Sequence, residues 1–381
     1  MKLGRGSGEL GRGRRARKIV RNVAIGAGIV GGAVAIERNL IAAPRYRGAV
    51  TDHFDGERFR NADPSWQSER SFLKWQFERE PGFWPRWIES EAGPAPVARV
   101  GGGRMRVTWV NHATLLLQAE DLNILTDPIW SERCSPVSFL GPRRHRAPGL
   151  RLRDLPPIDV VLVSHNHYDH LDVPTLHRLQ WKFAPLIITP LGNSLLLKRH
   201  GIATRSTRAA GPARAPAPPQ NRPSRATELD WWESVRVNDH VEITCVPSQH
   251  FCARGLSDRN RALWGGFVIA TRSGNAYFAG DTGWGSHFEW IRGRFQSIRL
   301  AMLPIGAYLP RWFMRPAHID PAEAVEAHKV LGADVSVPMH YGTFRLSDEG
   351  EAQPVDDLRR AIASSGVSSF EVIRHGEGFE A

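Results

Sequence analysis

Apolar and polar positions along the chain form short apolar runs that predict strands, separated by stretches with helical spacing. Strands are predicted at 106–117, 122–126, 158–164, 185–189, 241–246, 263–270, 275–279, 298–303 and 334–338. Helices are predicted at 192–200, 287–293, 321–331 and 354–365. This mixture indicates an α/β fold, in which two mixed sheets pack face to face with helices outside.

The strand predicted at 158–164 is followed by four metal-binding side chains in the order H-x-H-x-D-H, namely His165, His167, Asp169 and His170. Imidazole suits zinc, and carboxylate can complete the coordination. Because side chains alternate along an extended segment, His165 and His167 can bind one metal, whereas Asp169 and His170 face a second. A solvated polar loop is the alternative, but chance gives this arrangement only about once in 10⁶ starting points.

Three further candidate ligands stand at the ends of later apolar runs, close to glycine or proline. They are His250, Asp281 and His340. A single histidine at a strand end is more often structural, but the order of these residues after the first cluster favours a site where strands give way to loops. Six other histidines are interpreted as structural or surface groups: His53, His112, His145, His240, His287 and His328.

Several other stretches accompany these ligands within about residues 45 to 375: 107–114, 125–128, 229–233, 249–250, 278–283, 303–308, 310–314, His318 and 340–344. In this order the sequence resembles the metallo-β-lactamase superfamily. The block from Gly306 to His318 resembles the branch that contains N-acylphosphatidylethanolamine-hydrolysing phospholipase D. Two positions depart from that pattern, because Asn111 replaces the glycine usual before His-Ala-Thr and Tyr341 replaces a tryptophan of some members.

The resemblance implies the metallo-β-lactamase αββα sandwich and a site with two zinc ions that share the carboxylate of Asp281. The ligands of the first zinc would be His165, His167 and His250, and those of the second Asp169, His170 and His340. The resemblance also implies that Tyr168 and His318 contact the substrate, and that Asp281 and His318 act in catalysis. Asp127 has two open interpretations: it orients a ligand histidine, or it is a turn residue before Pro128.

The chain has 381 residues and a net charge of +11, with eight basic residues and one acidic residue in 1–21. A basic tail is typical of targeting or membrane contact, and the rest of the chain lacks the basic stripe of a nucleic-acid-binding protein. The uncharged run 23–36 is short for a membrane span of ~20 residues and suits a signal peptide or signal anchor, with a flexible tail as the alternative. We therefore expect a tail at 1–47 and a hydrolase domain at 48–381. The tail would associate the protein with a membrane, and the hydrolase domain would lie on the periplasmic or the cytoplasmic side of it.

Two other segments have unusual composition. Residues 205–226 are rich in proline, glycine and arginine without an apolar period, so a mobile surface insertion is expected. Residues 66–89 are dense in aromatic rings, which either cap a core or contact a bilayer interface. Three cysteines without a C-x-x-C pair support neither a redox pair nor a zinc ribbon.

These observations favour a phospholipase D-type zinc phosphodiesterase that converts N-acylphosphatidylethanolamine-like lipids to phosphatidic acid and N-acylethanolamine. The expected partners are a phospholipid substrate and a membrane surface, without nucleic acid; a homodimer is compatible with the sequence. One alternative is a hydrolase of a small molecule, such as a sugar-phosphate lactone. Another is a non-catalytic envelope-anchored binding protein, which would have no need of the complete ligand set.

Overall fold

The computed structural model describes Glu37 and residues 41–63, 72–202 and 225–381. The described strands are β1 (Met105–Asn111), β2 (Thr114–Ala119), β3 (Leu122–Thr126), β4 (Val160–Leu162), β5 (Leu186–Pro190), β6 (Arg225–Leu229), β7 (Ser234–Arg236), β8 (Val241–Val246), β9 (Gly266–Thr271), β10 (Gly274–Phe278), β11 (Ile298–Pro304), β12 (Ala333–Met339) and β13 (Gly378–Glu380). The described helices are α1 (Phe72–Glu78), α2 (Val173–Phe183), α3 (Asn193–Arg199), α4 (His287–Arg294), α5 (Arg311–Met314), α6 (Pro321–Leu331) and α7 (Gln353–Ser365), with a 3-10 turn at Leu152–Asp154.

The strands form two mixed sheets, ordered β13-β1-β2-β3-β4-β5-β6 and β12-β11-β10-β9-β8-β7. In the first sheet β3 to β6 are parallel, and β1 and β2 continue it as an antiparallel hairpin. In the second sheet β10, β11 and β12 are parallel, and β7 to β10 are joined by antiparallel pairs. The predicted α/β sandwich is confirmed.

Alternating residues of the central strand β4 show how the layers are held together. Val160 and Leu162 face the second sheet and belong to the core between the sheets. Val161 points the other way and packs with Leu176 of α2 and Leu197 of α3. Since successive side chains of a strand point to opposite faces, a run that is apolar throughout must be covered on both sides.

Helices also cover the outer face of the second sheet. Phe288 of α4 and Val325 of α6 are buried in the same core cluster as the strands of that sheet. The start of α6 is a capping box, in which Asp320 accepts from the backbone N–H of Glu323 and the Glu323 side chain accepts from that of Asp320. This cap satisfies N–H groups that the first helical turn leaves unpaired, and Pro321 suits that turn.

The prediction of a single strand at 106–117 is wrong, because the chain turns back at His112. This residue has a φ of 48°, and β1 pairs antiparallel with β2 on the other side of the turn. Both strands are almost completely buried, and the polar residues Asn111 and His112 interrupt the apolar run where the chain turns. The other predicted strands and helices are found with small shifts at their ends.

Nine of the described strands run in the same direction, namely β1, β3 to β6, β8 and β10 to β12, and the ends of β1, β3, β4, β8, β10 and β12 lie together at one edge of the sandwich. The loops that follow these ends carry the candidate ligands. The shared direction of the strands therefore places residues that are far apart in the sequence at one rim.

Two sequence predictions concern segments outside the described residues. The apolar run 23–36 and nearly all of the insertion 205–226 belong to them. Among the helices that the structure describes, none combines the length and the apolar character needed to span a bilayer. The aromatic segment 66–89 contains both buried and exposed rings. Trp75 is buried and stacks on Phe313, whereas Phe77 and Phe83 are exposed.

Candidate metal centre

All seven predicted ligands lie together at the rim of the sandwich. His165, His167 and His250 form one group in which the possible ligand atoms lie within 4.8 Å of one another. Nε2 of His165 is 2.8 Å from Nδ1 of His167, which is 3.3 Å from Nε2 of His250. Three nitrogens bound to one tetrahedral zinc at 2.0–2.1 Å would lie about 3.3 Å apart, so the spacing suits a shared ion.

The second group contains Asp169, His170 and His340, together with His112. Oδ2 of Asp169 lies 3.2 Å from Nε2 of His170 and 3.3 Å from Nε2 of His340. Nε2 of His112 lies 2.8 Å from the same oxygen. The interpretation of His112 as a surface group is therefore wrong, because it is buried inside the cluster.

Asp281 lies between the two groups. Its Oδ2 is 3.2 Å from Nε2 of His170 and 3.1 Å from Nε2 of His340. The same oxygen is 3.8 Å from Nε2 of His250 and 4.0 Å from Nε2 of His165. This is the position that a bridging carboxylate would take.

The turn that carries Asp281 requires the glycine before it. Gly280 has a φ of 60°, and a side chain there would place its Cβ 2.7 Å from Cβ of Ser164 and 3.0 Å from the carbonyl oxygen of Gly265. A left-handed backbone in such close contact accepts only glycine without strain. Gly280 thus lets the end of β10 approach the end of β4.

Asp127 helps to orient two of the predicted ligands, His170 and His165. Its Oδ2 lies 2.6 Å from Nδ1 of His170 and also accepts from the Ser164 hydroxyl at 2.6 Å. Since Ser164 donates to Asp127, the serine oxygen can accept from Nδ1 of His165, which is 2.9 Å away. One buried carboxylate therefore fixes both rings with Nε2 facing the centre, which favours the orienting interpretation of Asp127.

His250 is oriented in the same way by the backbone. Its Nδ1 donates to the carbonyl oxygen of Ala317 at 2.9 Å. A carbonyl can only accept, so Nδ1 carries the proton and Nε2 presents a lone pair to His167 and Asp281.

Burial and neighbouring charges shift the pKa values of the histidines in opposite directions. Burial lowers the pKa of His165, His167 and His250, in the case of His167 to about 4. Burial also acts on His340, but Asp281 and Asp169 raise its pKa to about 9. The carboxylates raise the pKa of His170 well above its ordinary value in the same way.

These residues fit a metal centre. Three neutral imidazoles present lone pairs to one point, and two of them already donate their Nδ1 protons elsewhere, so mutual hydrogen bonds cannot satisfy all three. Oδ1 of Asp281 is buried and has no hydrogen-bond partner among the described residues. Imidazole and carboxylate together are the donor set that zinc accepts, although other divalent metals of the first transition row bind the same groups.

A cavity of about 550 Å³ lies next to the loop that carries His165 to His170, although none of the seven predicted ligands lines it. Its wall includes Tyr168, whose ring lies 3.7 Å beneath the Arg254 guanidinium. Arg254 also donates to the carbonyl oxygens of Asn166 and Leu171, and so holds the ligand loop from outside. Burial raises the pKa of the Tyr168 phenol, which therefore remains a neutral hydrogen-bond donor.

His318 lies on another side of the centre. Its Nδ1 is 3.9 Å from Oδ2 of Asp281, and its ring centre is 5.1 Å from that of His250. The side chain is slightly exposed, whereas the ligand rings are buried. This position suits a residue that contacts a bound substrate. His318 is also close enough to His250 and Asp281 to bind a metal ion together with them.

Two residues of the site were missed by sequence reasoning. His112 follows a strand, as the predicted ligands do, and the signal that could have found it is the polar pair Asn111 and His112 between two apolar runs. Arg254 follows the ligand His250 by four residues, and no motif marks it. Its role depends on carbonyl groups that only the fold brings within reach.

Comparison with known proteins agrees with the geometry. Residues 122–341 match the family described as the β-lactamase superfamily domain. The chain is 38% identical over 284 residues to N-acyl-phosphatidylethanolamine-hydrolyzing phospholipase D 1 of Caenorhabditis elegans, covering 72% of this chain and 75% of the worm protein. It is 30% identical to a metal-dependent hydrolase of Pyrobaculum islandicum, covering 70% of this chain and 96% of that protein.

Among solved structures, the isothiocyanate hydrolase from Delia radicum gut bacteria superposes with a TM-score of 0.54 and 19% sequence identity. The match covers 72% of this chain and 98% of that one. At this identity the similarity shows a common fold.

The role of Asp127 can be tested by Asp127→Asn. The amide has an N–H₂ group in place of one of the two acceptor oxygens, so it cannot accept from both the His170 ring and the Ser164 backbone N–H. We expect metal affinity to fall about 10- to 100-fold with the fold intact, measured by metal titration and circular dichroism. Asp121→Asn, at the exposed opposite end of β3, is the control and should change nothing. Equal affinity in the two variants would show that Asp127 is only a turn residue.

Metal binding should release protons. In the metal-free chain His170 and His340 are protonated at pH 7, because their pKa values are raised, in His340 to about 9. A ligand nitrogen must give up its proton, so saturation with zinc at pH 7 should release about two protons. Calorimetric titration in buffers of different ionisation enthalpy measures this number, which should decline as the pH rises through about 9. Binding without proton release would contradict the assignment of both histidines.

Proposed function

Because the chain belongs to the metallo-β-lactamase superfamily, in the branch of the N-acylphosphatidylethanolamine-hydrolysing phospholipases D, we propose that it is a zinc-dependent phosphodiesterase of phospholipase D type. Its substrates are N-acylphosphatidylethanolamine-like lipids, and its products are phosphatidic acid and N-acylethanolamine. That the protein is a metal-dependent hydrolase follows from the family itself.

The observation that carries this proposal is the cavity next to the ligand loop, which contributes Tyr168 and Leu171 to its wall. Arg133, Arg178 and Arg254 contribute positive charge to its wall, which suits a phosphate. Trp130, Val137, Leu171 and Val173 contribute apolar surface to the same wall, which suits the glycerol and acyl portions of a lipid. A wall of this mixed character next to a hydrolytic centre supports an amphipathic phosphodiester as the substrate.

The two groups of the centre would hold two zinc ions, with Asp281 between them. Zinc, when bound, supplies a Lewis acid and makes a water nucleophilic near neutral pH by lowering its pKa toward ~7. His170 and His340 hold the pKa of Asp281 well below its usual range, although burial alone would raise it. Asp281 is thus an ionised acceptor, and its unpartnered Oδ1 can accept a hydrogen bond from the attacking water, whose proton passes to solvent.

Hydrolysis adds the water oxygen to phosphorus and breaks the bond from phosphorus to the ethanolamine oxygen. The leaving oxygen then requires a proton, and His318 at the edge of the centre is placed to donate it. On the other side, the phenol of Tyr168 and the guanidinium of Arg254 face the cavity and can donate to the phosphate oxygens of the substrate.

A second candidate is a hydrolase of a phosphorylated small molecule, such as a sugar-phosphate lactone. The three arginines of the cavity favour it, because they would bind the phosphate of a soluble substrate equally well. The two candidates differ in their need for the apolar part of the wall.

A substrate panel distinguishes them. We expect the metal-loaded protein to hydrolyse N-acylphosphatidylethanolamine in mixed micelles much faster than a soluble phosphodiester, because only the lipid uses the apolar wall. Product analysis should find phosphatidic acid and N-acylethanolamine. Efficient opening of lactones without hydrolysis of the lipid would replace the proposal with the small-molecule hydrolase.

His318→Ala tests the leaving-group role. Loss of a general acid should lower kcat about 10²-fold for the lipid and much less for a nitrophenyl phosphodiester, whose leaving group needs no proton. Metal content should remain unchanged. His240→Ala, at an exposed turn before β8, should retain full activity. If His318→Ala removes a metal, His318 is a ligand and the proposed proton donor is wrong.

A further inference from the structure

A small hairpin that precedes the matched family segment 122–341 contacts the metal centre. Within this hairpin, residues 51–63, an antiparallel bridge joins Phe54 and Phe59, and the Asp55 carboxylate accepts from two backbone N–H groups of the turn. Both phenylalanine rings are buried, and they pack in the core cluster that contains the strands of the second sheet. The hairpin is therefore fixed to the domain, and we refer to it as the N-terminal hairpin.

Asn61, near the end of the N-terminal hairpin, is bonded to the backbone of the ligand His250 in both directions. Its Nδ2 donates to the His250 carbonyl oxygen at 3.0 Å, and its Oδ1 accepts from the His250 N–H at 3.1 Å. The same oxygen accepts from the indole N–H of Trp264 at 3.0 Å. Because an indole can only donate, this third bond fixes which side of the amide faces which group.

The backbone of His250 needs these contacts because it lies beyond the end of β8. In the described part of the chain, its N–H and C=O take part in no backbone hydrogen bond of the sheet or the loops. His250 is buried, and a buried peptide group without partners costs about as much as a lost hydrogen bond. The side-chain amide of Asn61 therefore takes the place of the neighbouring strand that His250 lacks.

Other contacts join the N-terminal hairpin to the same loop. The Gln249 side chain donates from Nε2 to the carbonyl oxygen of Asp63 at 3.1 Å. The N–H of Phe59 donates to the carbonyl oxygen of Asn260 at 2.8 Å. The hairpin thus contacts both the beginning and the later part of the loop between β8 and β9, which carries His250.

The position of the His250 backbone decides whether its ring reaches the centre. Nδ1 of the ring donates to the carbonyl oxygen of Ala317, and Nε2 faces Nδ1 of His167 at 3.3 Å. Residues of a metal site have to be held within about 0.5 Å of the productive geometry. Even a small shift of the backbone would therefore move the ligand nitrogen out of place.

We infer that Asn61 is a positioning residue of the metal centre, which holds the His250 backbone where the imidazole can bind the first metal ion. The metal-binding unit of this protein therefore begins in the N-terminal hairpin, ahead of the segment that the family match covers. The inference rests on the assignment of His250 as a ligand in the proposed function, and it is independent of the identity of the substrate.

The test compares two half-buried asparagines near the two ends of β8. Oδ1 of Asn238 accepts from the N–H groups of His240 and Val241 at 2.8 Å, in the turn before that strand. In the full-length protein, Asn61→Leu and Asn238→Leu each remove bonds to backbone groups at similar side-chain volume. In titrations with zinc against a competing chelator, Asn61→Leu should bind one of two ions about 10- to 100-fold more weakly, and Asn238→Leu should bind both normally.

Asn61→Asp is a milder variant that separates position from folding. It retains an oxygen that accepts from His250 and Trp264, and it replaces only the N–H₂ group, so an oxygen then faces the His250 carbonyl oxygen. An added negative charge by itself would strengthen the binding of a cation. We expect zinc affinity to fall about tenfold relative to Asn238→Asp, because the ligand is displaced.

His250→Ala distinguishes failure of the inference from failure of the proposed function. This variant should lose one zinc ion, and Asn61→Leu added to it should weaken zinc binding no further, because Asn61 acts through His250. Retention of both ions by His250→Ala would refute the ligand assignment and, with it, the proposed centre.

Two outcomes would overturn the positioning role while the proposed centre stands. One is that His250→Ala loses an ion, whereas Asn61→Leu and Asn61→Asp bind zinc as the matching Asn238 variants do. The other is a further loss of zinc affinity when Asn61→Leu is added to His250→Ala, since Asn61 would then support the fold in general. If Asn61→Leu does not fold, the comparison of Asn61→Asp with Asn238→Asp decides.

Discussion

Three buried carboxylates set among imidazole rings are the constraint on which the structure depends. Asp127, Asp169 and Asp281 are almost inaccessible to water, and an isolated buried carboxylate costs several kcal/mol. Seven histidines surround them: His112, His165, His167, His170, His250, His318 and His340. Without a cation, only protonated rings can balance the carboxylates, which explains the raised pKa values of His170 and His340.

The two sheets of the sandwich form a rigid frame that holds this cluster. Six strand ends meet at one edge, and each is fixed by pairing within a sheet and by packing on both faces. The turns at this edge take uncommon backbone conformations, with positive φ at His112, Asp127 and His340 as well as at Gly280. Such conformations persist where the surrounding structure imposes them, and they concentrate at functional sites.

The two sides of the centre have different surroundings. On the His318 side the His250 ring is supported by the backbone carbonyl of Ala317. On the Tyr168 side lies a cavity whose wall contains arginines and apolar residues. The fold thus gives the two sides of the centre different surroundings.

The sequence by itself determined the α/β sandwich, most strand positions and the seven candidate ligands, because these follow from local alternation, short motifs and their order. It also singled out Tyr168 and His318, through the resemblance to the family. The prediction of one strand over 106–117 missed the turn at His112, although the polar residues Asn111 and His112 interrupt the apolar run there. The sequence could not determine the carbonyl partners of Arg254 or the choice between the two interpretations of Asp127. Those depend on distances between residues far apart in the chain, such as Asp127 and His170, and only the packing of the two sheets sets such distances.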